Sequence, residues 1–214
     1  MKILIMANGH YGDLEWYREN ASDFNRIICA DGGAVTARLL GIRPNWVVGD
    51  LDSISLLEHK YLEEIGAEVY RYPAEKNETD MQLALQMAKE RGASEIVIWG
   101  GTGARLDHTL SSLFSTISLL EYGIKVCFEQ PEGTIHMADK ALVISGVPGD
   151  TVSIIVLEGP ATGVTLKGFK YLLNDAVLHP RWQYAISNIM AVPEAQIVWS
   201  SGTLAVFHYR ILPE

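Results

Sequence analysis

The chain has 214 residues, of which 48% are hydrophobic and 20% are charged, and its formal net charge is −9 at pH 7. This composition is typical of a globular protein and allows one large domain or two small ones. Because a nucleic-acid-binding surface requires clustered Lys and Arg, the acidic balance argues against nucleic acid as a partner.

The first part of the chain alternates between apolar runs and amphipathic segments. Strands are predicted at 2–6, 26–30, 46–48, 68–72, 95–99 and 125–129. Helices are predicted at 13–20, 34–40, 56–65 and 80–91, followed by one helix with a stripe of Leu110, Leu113, Phe114, Ile117 and Leu120. Four helices end at a glycine, namely Gly41, Gly66, Gly92 and Gly123. Such alternation predicts a mostly parallel sheet with helices on both faces.

After about Pro131 the pattern becomes β-rich. Short apolar runs separated by Gly and Pro occupy 134–138, 141–144, 151–157, 162–166 and 204–208, with no convincing helix. We therefore expect two domains: a Rossmann-like α/β domain at 1–130 and an antiparallel β-sandwich at 131–214.

The N-terminus and the cysteines bear on the compartment. The first apolar run turns polar by Asn8, which is too short for a signal peptide, and no run approaches a transmembrane span. Cys29 and Cys127 each lie in an apolar run and predict two buried thiols rather than a disulfide. We expect a cytoplasmic protein with no membrane partner.

One apolar run, 46–48, ends in a glycine followed by Asp50 and Asp52. Two ionised carboxylates about 4 Å apart repel by about 4 kcal/mol at an effective dielectric of about 20, so a cation is expected between them. Oxygen ligands of this kind suit Mg²⁺. The alternative is a polar turn in which Asp52 or Ser53 caps the next helix.

Other strand ends carry polar residues of the same kind. Ligands bind at the carboxyl ends of strands in an open parallel sheet, where Asp31 follows one strand and Lys76 and Asp80 follow another. A glycine-rich loop containing Arg105 follows 95–99, and its backbone N–H groups can approach an anion. Carboxylates, cations and glycines together are the groups that metal-assisted phosphoryl transfer needs.

Several of these residues also have a purely structural explanation. Thr79 and Gln82 have the spacing of a capping box, which would make Asp80 a first-turn carboxylate. Asp107 can likewise cap the following helix, and His108 can be a partly buried histidine with its hydrogen bonds satisfied.

Taken in order, the motifs resemble a known family. They are Asp31-Gly32-Gly33-Ala34, Gly49-Asp50-Leu51-Asp52-Ser53, Lys76-Asn77-Glu78-Thr79-Asp80 and Gly100-Gly101-Thr102-Gly103-Ala104-Arg105-Leu106-Asp107-His108, followed by 163–171 and Ile186-Ser187-Asn188. This set is similar to the thiamine pyrophosphokinase (thiamine diphosphokinase) family. The likeness covers nearly the whole chain.

The resemblance implies transfer of the pyrophosphoryl group of ATP to the hydroxyethyl group of thiamine, with attack on the β-phosphorus. It implies Mg²⁺ as the cofactor, held by Asp50, Asp52 and Asp80, with Asp107 as a fourth catalytic residue. Residues implied for ATP and its phosphates are Asp31, Ser53, Lys76, Thr79, Gly101, Arg105 and His108. Ser187 and Asn188 are implied for thiamine, in a homodimer whose thiamine site lies at the subunit interface.

Two other functions are compatible with parts of the pattern. An aspartyl-phosphate phosphatase would use Asp50 as nucleophile and Asp52 as acid/base, but that pair normally follows the first strand rather than the third. A nucleotide or thiamine sensor would bind without turnover, but it would have little need of several carboxylates suited to metal.

Overall fold

The computed structural model describes residues 1–52, 54–103 and 105–210. The chain divides into two compact units, Met1–Pro131 and Glu132–Glu214. Among the described residues, no helix combines the length and the apolar character needed to cross a membrane.

The first unit contains a parallel sheet. Its strands are β1 (Lys2–Met6), β2 (Arg26–Ala30), β3 (Trp46–Gly49), β4 (Glu68–Arg71), β5 (Glu95–Trp99) and β6 (Lys125–Gln130). Their order is β4-β3-β2-β1-β5-β6, and every pairing between these neighbours is parallel. The strand order reverses beside β1, which is where a crevice opens at the carboxyl ends of such a sheet. The expected α/β class is confirmed.

The helices of this unit follow the strands in alternation. They are α1 (Leu14–Asn20), α2 (Gly33–Leu40), α3 (Leu56–Glu64), α4 (Asp80–Glu90), α5 (Leu106–Ser115) and α6 (Ile117–Leu120). All four glycines predicted to end a helix have a positive φ, between 71° and 81°. This left-handed conformation is easily adopted by glycine and turns the chain toward the next strand.

The single helix predicted after the glycine-rich loop is wrong in one respect. Thr116 separates α5 from α6; its side chain is fully buried, and its Oγ1 donates a 2.7 Å hydrogen bond to Leu113 O. The predicted stripe also does not form one buried face, because its residues within α5 differ in exposure. Leu113 is buried, whereas Leu110 and Phe114 are 54% and 50% exposed.

Apolar side chains of the parallel sheet form the core of the first unit. Leu4, Met6, Cys29, Val47 and Trp99 belong to one buried cluster. Cys29 is a buried free thiol and Cys127 a partly buried one, and burial raises the pKa of both.

The second unit is antiparallel. Its strands are β7 (Gly133–Ala138), β8 (Leu142–Ser145), β9 (Thr151–Lys167), β10 (Ala176–Leu178), β11 (Asn188–Ile189), β12 (Glu194–Val198) and β13 (Ser201–Tyr209). Within the described part of this unit, residues 132–210, there is no helix. The long strand β9 organises the unit, because β10, β11, β12 and β13 all pair with it.

The strands predicted at 151–157 and 162–166 are wrong as separate elements, because β9 continues through both. Gly159 and Gly163 have φ of 74° and 68°, and the register against β13 shifts beside them. The chain therefore bends without ending the strand, as at a β-bulge. The short strands β10, β11 and β12 were not predicted.

Candidate active site

A cavity of about 780 Å³ opens in the first unit beside the ends of its parallel strands. Its lining is Ala7, Asn8, Gly9, His10, Ala30, Asp31, Asp50, Ala74, Lys76, Glu78, Thr79, Asp80, Met81, Gly100, Gly101, Thr102, Gly103, Arg105, His108, Thr109, Ser111 and Ser112. The loops that follow β1, β2, β3, β4 and β5 therefore all contribute to one space. The expectation that the polar strand ends lie close together is confirmed.

Three carboxylates form a tight group at this edge of the sheet. Asp31, Asp50 and Asp52 each offer an oxygen atom, and these atoms all lie within 4.8 Å of one another. Adjacent strands produce the grouping, because β2 pairs with β3 and the Asp31 N–H donates a 2.8 Å hydrogen bond to Val48 O. Oxygen-only ligands at this spacing suit a hard divalent cation.

The backbone between the two aspartates that follow β3 is unusual. Leu51 has φ of 63°, a left-handed conformation that costs about 1–2 kcal/mol for a residue with a side chain. Its side chain is 3% exposed, and this burial holds the conformation in place. Asp50 Oδ1 accepts a 3.1 Å hydrogen bond from the Asp52 N–H. The turn thus brings two carboxylates near each other at a spacing of two residues.

A glycine is required just before this turn. Gly49 has φ of 151°, and a Cβ added there would lie 3.2 Å from Asp31 Cα. A side chain at this position would push β3 away from Asp31, so the glycine permits the close approach of the two strand ends.

The grouped carboxylates influence one another's ionisation. The pKa of Asp52 is raised, chiefly by the charge of Asp50, with partial desolvation and the charges of Asp31 and Asp80 adding to the effect. The four carboxylates are therefore close enough for their charges to interact, and a cation bound among them would be attracted by all four.

Asp80 and Lys76 form the opposite side of the site. The predicted capping box is confirmed: Thr79 Oγ1 accepts from the Gln82 N–H at 3.2 Å, and Gln82 Oε1 accepts from the Thr79 N–H at 2.8 Å. This cap fixes Asp80 as the first residue of α4. Lys76 Nζ lies 3.0 Å from Asp80 Oδ1 and 4.0 Å from Asp50 Oδ2.

The glycine-rich loop places Arg105 in the lining of the cavity and pairs it with Asp107. Arg105 Nε and Nη2 donate to Asp107 at 3.2 and 2.6 Å, and both side chains are mostly exposed. This hydrogen-bonded pair lowers the pKa of Asp107 and raises that of Arg105. The suggestion that Asp107 caps the following helix is wrong, because Arg105 is the N-cap residue of α5 and Asp107 lies in the first turn.

The loop after β1 belongs to the site, although its role was not predicted. The His10 N–H donates a 3.0 Å hydrogen bond to Thr102 O, and the hydroxyl of Tyr11 donates to Ala7 O at 2.9 Å. A Cβ on Gly9 would collide with the carbonyl oxygens of the glycine-rich loop. The two glycine-containing loops are therefore packed together. The glycines after β1 and β5 were the sequence feature that could have indicated this contact.

Some of the remaining predicted residues of the first unit line the cavity and others do not. Thr79, Gly101 and His108 line the cavity, whereas Asp52 and Asp107 are not among its lining residues. Ser53 lies outside the described residues.

Ser187 and Asn188 lie in the second unit. Asn188 is 7% exposed; its Oδ1 accepts from the Tyr171 N–H at 3.0 Å and the Ile189 N–H at 2.9 Å, and its Nδ2 donates to Tyr171 O at 2.7 Å. The amide thus connects β11 to the loop containing Tyr171. Ser187 has φ of 58°, and its N–H donates to Ser153 Oγ at 2.9 Å.

Comparison with known proteins covers both units. A family model described as "Thiamin pyrophosphokinase, catalytic domain" matches residues 17–128, and a second, "Thiamin pyrophosphokinase, vitamin B1 binding domain", matches residues 134–204. A protein of Bacillus subtilis named thiamine pyrophosphokinase is 32% identical over 189 residues, covering 83% of this chain and 81% of its own.

Solved structures give the same result. The crystal structure of thiamine pyrophosphokinase from Bacillus subtilis aligns with a TM-score of 0.87 and 29% identity, covering 99% of this chain and 100% of the other. That of thiamin pyrophosphokinase from Geobacillus thermodenitrificans aligns with a TM-score of 0.81 and 27% identity, covering 99% and 98% of the two chains.

Proposed function

Since the chain belongs to the thiamine pyrophosphokinase family, we propose that the cavity of its first unit is where the family reaction takes place. As a thiamine diphosphokinase, the enzyme transfers the pyrophosphoryl group of ATP to the hydroxyethyl group of thiamine and gives thiamine diphosphate and AMP. The observation that carries the placement is the convergence of carboxylates, Lys76 and a glycine-rich loop on one cavity. An aspartyl-phosphate phosphatase would leave the glycine-rich loop without a purpose.

The two units have separate roles in this proposal. Residues 1–130 form a Rossmann-like catalytic domain that binds ATP, and 131–214 form a β-sandwich that binds thiamine and supports dimerisation. The parallel strand order of the first unit and the antiparallel pairings around β9 support this division. We also expect the enzyme to act in the cytoplasm.

Magnesium is the cation that the carboxylates fit best. Oxygen atoms of Asp31, Asp50 and Asp52 already lie within 4.8 Å of one another, and Asp80 Oδ1 is buried with the Lys76 ammonium 3.0 Å away as its charged partner. Asp50, Asp52 and Asp80 are the proposed ligands, and Asp31 is close enough to join them. When bound, the ion would neutralise phosphate charge and orient the β-phosphorus for in-line attack.

The other residues of the cavity bind and orient the nucleotide. Lys76 and Arg105 supply positive charge, and the backbone N–H groups of the glycine-rich loop offer neutral donors to phosphate oxygens. The thiamine oxygen forms a bond to the β-phosphorus as the bridge to the α-phosphorus breaks, so AMP leaves and the hydroxyl proton is released. Thr79, Gly101 and His108 lie where they can contact the same nucleotide.

Thiamine recognition is assigned to the second unit. Ser187 is the direct ligand in this proposal, because the amide of Asn188 is already engaged by three backbone groups. Asn188 then positions the loop of Tyr171, which is 57% exposed and can offer an aromatic surface to the pyrimidine.

A homodimer with the thiamine site at the subunit interface completes the proposal. Leu106, Leu110 and Phe114 recur at a spacing of four residues on α5 and are 72%, 54% and 50% exposed. Such an apolar stripe is typical of a surface that another chain covers. Light scattering of the purified protein should give twice the mass of the 23.7 kDa chain.

Incubation with ATP, Mg²⁺ and thiamine, followed by separation of the nucleotides, tests the reaction. AMP and thiamine diphosphate should appear together in equal amounts. Formation of ADP or free phosphate, or the absence of any product, would contradict the proposal. A reaction without thiamine is the control for ATP hydrolysis.

A further inference from the structure

Lys76 is unusually enclosed for a lysine in a loop. Its side chain is 11% exposed, and its Nζ donates to Pro73 O at 3.3 Å while lying 3.0 Å from Asp80 Oδ1 and 4.0 Å from Asp50 Oδ2. An ammonium group loses hydration when it is enclosed in this way, and paired carboxylates compensate for that loss. The contacts of Lys76 are therefore different from those of a solvated surface lysine.

The position of Lys76 conflicts with a cation bound by the same carboxylates. Asp50 and Asp80 are proposed ligands of Mg²⁺, yet each already faces the ammonium group. A positive charge this close to the ligands repels a divalent ion, because the interaction of charges a few ångströms apart is only partly screened inside a protein. Lys76 and a metal ion thus compete for the same two carboxylates, Asp50 and Asp80.

Arg105 does not take part in this competition. Its guanidinium group is turned to Asp107, and both side chains are mostly exposed. Arg105 and Lys76 are the two fixed cations among the described lining residues, and Lys76 is the one paired with Asp50 and Asp80.

We infer that Lys76 is the resident counter-cation of this acidic site and moves to the phosphates when Mg·ATP enters, so that the divalent cation binds with the nucleotide and not before it. The inference rests on the function proposed above. Lysine suits this exchange because its ammonium is a point charge on a flexible stem and can change partners without a fixed geometry. When the metal binds the two carboxylates, Lys76 loses its negatively charged partners. The incoming phosphates replace them.

Metal binding to the nucleotide-free protein tests this inference without turnover. Free Mn²⁺ is titrated by electron paramagnetic resonance against the wild type, Lys76→Gln and Lys125→Gln. Lys125 is the exposed first residue of β6, at the opposite edge of the parallel sheet, and its substitution makes the same change in net charge. Lys76→Gln should bind Mn²⁺ at least about tenfold more tightly, whereas Lys125→Gln should stay within about twofold of the wild type.

A second titration uses Mg²⁺ with α,β-methylene-ATP, which cannot be cleaved at the bridge that the reaction breaks. Here Lys76→Gln should bind about tenfold more weakly than the wild type, because the phosphates lose a cation. Opposite signs in the two titrations are the signature of a lysine that changes partners, and a lysine needed only for folding would not produce them.

Several results would overturn the inference. They are unchanged or weaker Mn²⁺ binding by Lys76→Gln, tighter binding in both titrations, and loss of the fold in both Lys76→Gln and Lys76→Met, which would make the lysine a structural requirement. Failure of the proposed function is a separate result, since it would appear as missing AMP whatever the Mn²⁺ titration gives.

Discussion

Replacement of Asn188 by alanine separates positioning from direct binding in the second unit. The variant removes three hydrogen bonds, two accepted by Oδ1 at 3.0 and 2.9 Å and one donated by Nδ2 at 2.7 Å. Each contributes about 0.5–1.5 kcal/mol, so the unit should lose about 3 kcal/mol of its free energy of unfolding. The peptide groups of Tyr171 lose their partners in a partly buried setting beside the buried Asn188 side chain, which places the cost above that of a surface substitution.

Urea unfolding followed by tryptophan fluorescence measures this loss. Trp199 is 6% exposed in the core of the second unit and reports its unfolding. With a slope of about 1–3 kcal/mol per molar urea, the midpoint of that transition should fall by about 1–3 M. We also expect Asn188→Ala to raise the KM for thiamine more than the KM for ATP, because the loop beside Ser187 is no longer held.

Ser187→Ala is the matched control. It removes a neighbouring hydroxyl while leaving the three hydrogen bonds of Asn188 intact, so it should stay within about 0.5 kcal/mol of the wild type and still raise the KM for thiamine. A wild-type urea midpoint in Asn188→Ala, or an equal loss in Ser187→Ala, would refute the assignment of Asn188 as the positioning residue.

Three further predictions concern catalysis, local stability and pH. Asp50→Asn and Asp80→Asn should each lower kcat by about 100-fold or more while leaving the far-ultraviolet circular dichroism unchanged. Asp139→Asn in the second unit is the control. Normal activity in Asp50→Asn or Asp80→Asn would remove that carboxylate from the metal site. Thr79→Ala should cost about 1 kcal/mol in urea unfolding and Thr79→Ser much less, because serine keeps the oxygen of the capping box; equal stability of the two would contradict the role of the cap. Burial lowers the pKa of His136 from 6.5 to about 4, so the unfolded chain binds a proton that the folded chain refuses, and stability should fall by up to about 3 kcal/mol as the pH drops through this window. His136→Gln should flatten that part of the stability profile, and an unchanged profile would show that other groups are responsible.

The sequence was sufficient where local chemistry decides the structure. Glycines at helix ends and apolar runs located most elements of the first unit, and the spacing of Thr79 and Gln82 predicted a capping box that forms as expected. Because these features depend on neighbouring residues only, they can be recognised without the tertiary structure.

Features that depend on strand order could not be predicted in the same way. Asp31 lies beside Asp50 and Asp52 because β2 pairs with β3, and Lys76, in the loop after β4, lies 4.0 Å from Asp50 because β4 pairs with β3. A sequence places each of these residues at a strand end but does not specify which ends are adjacent.

Tertiary contacts account for the other differences. Thr116 interrupts a helical pattern by donating its hydroxyl to Leu113 O, and β9 continues past Gly159 because neighbouring strands keep it paired. The engagement of the Asn188 amide by Tyr171, 17 residues away, likewise depends on the folded second unit.

The most direct test of the central claim follows labelled phosphorus from ATP into the product. With Mg²⁺ and thiamine, ATP labelled at the γ-phosphorus should give labelled thiamine diphosphate and unlabelled AMP, and ATP labelled at the α-phosphorus should give labelled AMP alone. Transfer of the pyrophosphoryl group in one step also predicts that neither ADP nor thiamine monophosphate accumulates. Labelled ADP from the α-labelled substrate, or label released as free phosphate, would contradict attack on the β-phosphorus and the function proposed for this site.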